Sequence, residues 1–456
     1  MRTPELLSPA GTLKNMKYAF AYGADAVYAG QPRYSLRVRN NDFNLAHLAE
    51  GIELAHGLGK KFFVASNILP HNSKLKTYMD DIAPVIEMKP DALIMSDPGL
   101  IMMVRDKYPD VPVHLSVQAN TMNWASVKFW HRAGIERVIL SRELSLDEVA
   151  EIRDRCPEME LEVFVHGSLC IAYSGRCLLS GYINHRDPNQ GTCTNACRWK
   201  YQAHEAQQDV SGDIVPVQQF EPVSASASAS EPEPEPVNQP SDQIYLLQES
   251  SRPDDYMPAY EDEHGTYIMN SKDLRAIQHV HRLATMGIDS LKIEGRTKSH
   301  YYVARTAQAY RQAIDDAVAG RPFDMGLMDI LENLANRGYT EGFYRRHVHD
   351  EYQNYETGNS VGVHQQFVGE VVEHDATSGM LQIDVKNRFE KGDTLELMTP
   401  AGNRRFRLSE LLDRKGAAIE AAPGSGHRVS IPLDFNTDMT YALLMRDLPN
   451  APSRDA

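Results

Sequence analysis

Apolar positions in the first 168 residues repeat one unit: a short strand-like run, a polar loop, then an amphipathic helix. Strands are predicted at Glu5–Ser8, Ala26–Ala29, Lys61–Asn67, Ala92–Ser96, Val113–Gln118, Arg137–Arg142 and Glu160–His166. Helical patterns lie between them, for example at Asn44–Leu58 and Leu146–Arg155. Gly23, Gly59 and Gly134 stand where a helix C-cap precedes the next strand. An eighth strand fits at Ser290–Glu294, followed by a helix through His300–Ala319. Such repeats predict parallel βα units, and eight of them close a TIM-like (β/α)8 barrel.

Residues 169–289 interrupt this pattern as a long insertion between strands seven and eight. Within it, SASASASEPEPEP (Ser224–Pro236) has few side chains to bury, so 205–243 is expected to be a disordered acidic linker. Order is expected to return at Tyr267–Ser271, with a helix from Asp273. Beyond about Gly342, Phe367–Val372, Met380–Val385, Thr394–Leu397, Asn403–Leu408, Val429–Pro432 and Tyr441–Met445 look like short strands between Gly, Asp and Asn turns. They predict a small antiparallel β-barrel domain over 336–450, after a barrel domain over 1–335.

Charge changes the picture by its location. The chain of 456 residues carries a formal charge of −15. Between Ala203 and Glu263 there are 14 acidic residues and one basic residue, Arg252, so that stretch holds −13 of it. The nearly neutral remainder can still carry a local basic patch. The opening MRTPELLSPAG lacks an apolar signal-peptide core, and no apolar run reaches the roughly 18 residues of a membrane span. A cytoplasmic protein with no membrane partner is expected.

Four of the five cysteines fall at Cys170, Cys177, Cys193 and Cys197, as C-x6-C-x15-C-x3-C. Four clustered soft thiolates suit zinc or an iron–sulfur cluster, and the spacing alone does not choose between them. Cys156 stands apart and reads as structural. Strand alternation supplies the other candidates. His114, Ser116, Gln118 and Asn120 share one face, as do Glu162, Phe164 and His166, and as do Lys292, Glu294 and Arg296. Asn67 ends the third strand and Arg142 the sixth. In a barrel these residues converge on one mouth, although a pair such as Lys292–Glu294 equally suits a structural ion-pair network. Arg33, Arg37, Arg39, Arg176, Arg186, Arg198, Lys200 and Lys298 add basic groups on the mouth loops, with Tyr182 and Trp199 among them; an anionic ligand or a nucleic-acid loop suits that surface. No HExxH or GxSxG occurs, and a Cys170–His166 protease pair explains only one of four thiols.

EVFVHGSLCIAYSGRCLLS (Glu162–Ser180) resembles the signature of the U32 peptidase family. NQGTCTNACRWKY, NSKDL, SLKIEGR, SDPGL, SVQAN, ILSREL, the opening ELLSPAG, Arg337–Phe343 and Gln353–Glu356 resemble further blocks of it. Length and the C-terminal β domain are similar to the tRNA-hydroxylating branch. That resemblance implies hydroxylation at C5 of wobble uridine 34 in a tRNA anticodon loop, with prephenate as cosubstrate. It also implies a [4Fe-4S] cluster on Cys170, Cys177, Cys193 and Cys197, supplied by iron–sulfur assembly machinery, with zinc as the alternative. His166 and Glu294 are then candidates for proton transfer. Asn67, Gln118, Asn120, Arg142, Lys292 and Arg296 are candidates for holding substrate and a small anionic cosubstrate. The competing readings are a U32-type, collagenase-like hydrolase and a non-catalytic tRNA-binding protein with a structural metal.

Overall fold

The computed structural model describes residues 2–36, 42–169, 273–334, 338–345, 365–375, 378–433 and 437–448 in full. It describes the backbone alone of five strands, Tyr201–Gln208, Ile214–Pro216, Ile244–Glu249, Tyr256–Asp262 and Gly265–Thr266. The four clustered cysteines, Arg37, Arg39, the basic residues 176–200, the Ser224–Pro236 tract, Tyr267–Ser271 and the Gln353–Glu356 block lie outside the described residues.

Eight strands form the closed parallel barrel that the repeats predict. They are β1 (Glu5–Pro9), β2 (Ala26–Gly30), β3 (Lys61–Ser66), β4 (Ala92–Met95), β5 (Val113–Leu115), β6 (Arg137–Ile139), β7 (Glu160–Ser168) and β8 (Ser290–Ile293). Neighbours pair in chain order, and β8 closes the ring by pairing with both β7 and β1. The crossover helices are α1 (Leu13–Ala21), α2 (Leu45–Gly57), α3 (Asn72–Glu87), α4 (Pro98–Lys107), α5 (Trp124–Arg132), α6 (Leu146–Arg155), α7 (Val280–Met286) and α8 (His300–Val318). Local chemistry sets their starts: Thr12, Asn44, Asp97, Asn123 and Ser299 accept the N3 amide, and Ser145 with Glu148 forms a reciprocal capping box. Gly23, Gly59 and Gly134 take φ of 101°, 65° and 81°, the left-handed turn expected of them. Among the described residues no helix is long and apolar enough to cross a membrane.

Two local expectations differ from the structure. The chain leaves β5 at Leu115 and tightens into a 3-10 turn over Val117–Ala119, where the Ser116 hydroxyl bonds to Gln118. Asp273 opens a strand rather than a helix: Asp273–Arg275 pairs antiparallel with β7 and parallel with Tyr339–Thr340. The helix begins only at Val280.

A separate compact unit spans Asn195–Asn270. Its strands form one antiparallel sheet, ordered Gly265–Thr266, Tyr256–Asp262, Ile244–Glu249, Tyr201–Gln208, Ile214–Pro216. Two of these strands reach into the 205–243 stretch read as linker. Tyr201–Gln208 pairs with Ile244–Glu249, a partner too distant in sequence for local composition to reveal.

After the barrel come β9 (Gln365–Asp375), β10 (Met380–Val385), β11 (Thr394–Thr399), β12 (Gly402–Arg407), β13 (Arg428–Pro432) and β14 (Leu443–Asp447). They make an antiparallel sheet in the order β12-β11-β14-β9-β10-β13, ended by Leu412–Asp413. It has its own apolar core around Val368, Ile383, Phe389 and Leu397. Its seam with α1 and α8 is polar as well as apolar. Arg305 of α8 is buried and meets Glu396 at 2.8 Å and Gln365 at 2.9 Å. Tyr301 stacks on Phe367 with centroids 4.9 Å apart.

At the mouth end of this seam, Glu370 takes Lys14 at 2.5 Å and His300 at 3.0 Å. Burial alone pushes the Glu370 carboxyl up, but His300 and the hydrogen-bonded Lys14 ammonium beside it outweigh that and bring its pKa to about 2. The folded value lies below the unfolded one. The contribution is therefore complete above about pH 5 and is lost as pH falls toward 2. Glu370→Gln is expected to cost about 1.5–3 kcal/mol at pH 7, the range for hydrogen bonds to charged groups. In paired melts from pH 7 to pH 3, the wild-type advantage over the variant should shrink as pH falls.

Candidate active site

The barrel interior carries charge from its floor to its mouth. At the floor, Arg137 (3% exposed) reaches Glu5 at 2.6 Å, Glu160 at 2.7 Å and Glu162 at 3.2 Å. Lys61 meets Glu5 at 2.9 Å. Burial opposes the Arg137 charge, yet Glu5 and Glu162 more than offset it and hold the guanidinium protonated. Glu162 is fully buried and uses both oxygens, Oε2 toward Arg137 and Oε1 toward Lys292 Nζ at 2.8 Å. His114 packs edge-on to Phe63 with centroids 4.8 Å apart. Burial, with Arg137 and Lys292 nearby, presses its pKa well below the ordinary imidazole value.

Above this floor, three cations gather around two aromatic rings. Arg142 lies 3.8 Å from the Phe164 centroid, and Lys292 lies 5.5 Å from the same ring. Lys292 is 4.3 Å from the Tyr28 centroid, and Arg296 is 5.8 Å from it. Phe164 is thus shared by Arg142 and Lys292, and Tyr28 by Lys292 and Arg296, and the rings stabilise these desolvated cations. Among the described residues, Glu162, shared with Arg137, and Glu294, which meets Arg142 at 3.0 Å, are carboxylates beside these cations. A cluster of three cations suits an anionic ligand.

Hydrogen bonds place the cations at the strand ends. Arg142 Nη1 donates to the Ser168 carbonyl at 2.9 Å, at the last residue of β7. Arg296 Nη2 donates to the Leu36 carbonyl at 2.6 Å, and the Leu36 amide donates to Asn67 Oδ1 at 3.2 Å. Asn67 Nδ2 donates to Ser116 at 3.3 Å and Gln118 at 3.2 Å. Asn67, Gln118 and Arg296 thus form one bonded rim. Asn120 follows the 3-10 turn in the left-handed region, with φ of 50°.

His166 does not join this group. A bulge aligns Lys292 with Phe164 but Ile293 with His166, so the imidazole leaves the face that Glu162 and Phe164 share. It lies 1% exposed among Tyr302, Tyr310 and Tyr339, with ring centroids 5.4–5.8 Å away. Burial, with Arg275 and Lys298 adding to it, lowers its pKa to about 3, so it is neutral at pH 7 and a weak base. Glu294 stays at the mouth with its side chain 21% exposed. Phe164 keeps the face it was expected to share with Glu162, whereas Tyr28 and Arg137 are structural partners that sequence reasoning did not single out. Their signal was the inward parity that they share with the charged positions.

Gly167 sits at the bulge with φ of +104°, and a Cβ there would stand 2.5 Å from the Glu294 carbonyl oxygen. Gly167→Ala combines left-handed strain with a backbone clash. It is expected to cost about 1–3 kcal/mol and to lower the melting temperature of the whole protein. A melting temperature unchanged within error would contradict that contact.

The family models place this geometry. Residues 11–354 match peptidase family U32, and residues 364–446 match the peptidase family U32 C-terminal domain. The tRNA hydroxylation protein P of Haemophilus influenzae is 62% identical over 452 residues, covering 99% of this chain and 98% of that protein. The Escherichia coli protein of the same name is 61% identical over 461 residues, covering 100% and 99%. The Escherichia coli 23S rRNA 5-hydroxycytidine C2501 synthase is 28% identical over 340 residues, covering 75% of this chain and 42% of that protein. With the barrel and the C-terminal sheet both accounted for, the chain belongs to peptidase family U32.

Proposed function

We propose that the chain is a tRNA hydroxylase acting at C5 of wobble uridine 34, with a small dicarboxylate, prephenate, as cosubstrate and a [4Fe-4S] cluster as cofactor. The observation that carries this reading is near full-length similarity, at 61–62% identity, to two proteins named for tRNA hydroxylation. The mouth adds chemical support. Arg142, Lys292 and Arg296 make a desolvated cationic surface for carboxylates, with Asn67 and Gln118 on its rim and Asn120 next along the chain after the 3-10 turn. An anticodon-loop uracil is unpaired and can enter such a mouth without opening a duplex.

Cys170, Cys177, Cys193 and Cys197 would hold the cluster. Four thiolates are its standard donor set, and the segment begins two residues after β7 ends at the mouth. When bound, the cluster supplies electron transfer. The chain's own residues bind and orient: Arg142 fixes the end of β7 and holds Glu294, the carboxylate placed to take or give a proton. His166, buried and neutral, supports the wall behind that strand.

The test is a bacterium stripped of its own wobble-uridine hydroxylation. Expression of this chain should restore 5-hydroxyuridine-derived nucleosides in digested tRNA. Their absence, with the chain expressed and folded, would overturn the reading.

A further inference from the structure

Lys292 sits where an amine can act as a nucleophile as well as a charge. It is the third residue of β8, 3% exposed, and its Nζ lies 4.3 Å from the Tyr28 ring and 5.5 Å from the Phe164 ring. We propose that Lys292 condenses with a 2-oxo acid held at the barrel mouth, forming an imine with its ketone carbon. The inference rests on the reading of the mouth as an anionic-cosubstrate site and names the class of that ligand.

Three features carry it. First, Glu162 is within 2.8 Å of the amine and can take its proton. Its other oxygen is bonded to Arg137 at 3.2 Å, so losing the ammonium does not leave a buried carboxylate uncompensated. Second, Arg142 lies 3.8 Å from the Phe164 ring and Arg296 5.8 Å from the Tyr28 ring, the same two rings that Lys292 approaches, so guanidinium groups for the carboxylate of such an acid stand near the amine. Third, burial lowers the Lys292 pKa and Arg296 adds to the effect, while Glu162 and Glu294 oppose it. Desolvation next to another cation is a known way to activate a lysine.

The step balances without an oxidant. Lys292 gives a proton to Glu162, and the neutral amine adds to the ketone carbon, forming a C–N bond. Glu162 returns the proton to the carbinolamine hydroxyl, which departs as water. The product is a protonated imine, able to draw electrons from a bond beside it.

The experiment treats the full-length protein with pyruvate, and separately with prephenate, and reduces each mixture with borohydride. Intact mass and peptide mapping then locate any adduct. The expected result is one reduced 2-oxo acid unit on Lys292, dependent on borohydride and lost in Lys292→Arg, which keeps the charge beside Glu162. The wild-type trapping does not depend on that variant folding. No adduct with either acid, or adducts only on rim lysines such as Lys74 and Lys298, would overturn the proposal. Measuring tRNA hydroxylation in parallel separates the two readings. An adduct without hydroxylation removes the proposed function and leaves this inference. Hydroxylation without an adduct removes this inference alone.

Discussion

Arg137→Met is expected to lower folding stability by about 3–5 kcal/mol, the range for breaking a buried ion pair by removing one partner. Arg137 bonds three carboxylates, and one of them, Glu162, has no contact with solvent. Methionine fills similar volume but leaves Glu162 with Lys292 alone and leaves Glu5 with Lys61. The same desolvated charge predicts its own rescue. Adding Glu162→Gln removes the uncompensated carboxylate, so Arg137→Met/Glu162→Gln should be more stable than the sum of the single changes implies. A coupling of roughly 0.5–3 kcal/mol is the range for residues in one network. Denaturant melts of the four proteins measure it, and additive single effects would contradict the buried-charge account.

The second large effect concerns activity. Arg142→Lys is expected to reduce tRNA hydroxylation about 10²-fold, the scale on which small misplacements act, while the melting temperature moves little. Lysine keeps the positive charge. It cannot at once reach the Ser168 carbonyl and the Glu294 carboxylate, which the planar guanidinium joins at 2.9 and 3.0 Å. The loss should therefore fall on the geometry of the mouth and of the strand leading to Cys170. Nucleoside analysis of tRNA from cells carrying the variant gives the activity. Iron content of the purified variant shows whether the cysteine segment is also affected. Normal hydroxylation in Arg142→Lys would reduce Arg142 to a point charge.

Most of the barrel was legible because its strands obey a period of two. The inward parity that makes Glu162, Lys292 and Glu294 visible in sequence is the parity the structure uses. Helix starts were legible for a similar reason, since Ser145 with Glu148 is a local signal. The misreadings share a cause: each depends on a partner distant in the chain. His166 changed faces because one extra residue of β7 opposes the Lys292–Ile293 step of β8. Lys292 bonds Glu162 across the strands, a partner that spacing along β8 does not reveal. Asp273–Arg275 became a strand because β7 and Tyr339–Thr340 offered it edges on both sides.

Under the proposed function, the cationic mouth and the clustered cysteines serve one reaction at one nucleotide. The most direct test is the mass of the anticodon-loop fragment of tRNA from cells that lack other wobble hydroxylation. Those cells would express either the wild-type chain or the Cys170→Ser/Cys177→Ser/Cys193→Ser/Cys197→Ser variant. The account predicts one added oxygen, or a group built on it, at uridine 34 with the wild type and an unmodified uridine with the variant. Equal modification in both would contradict it.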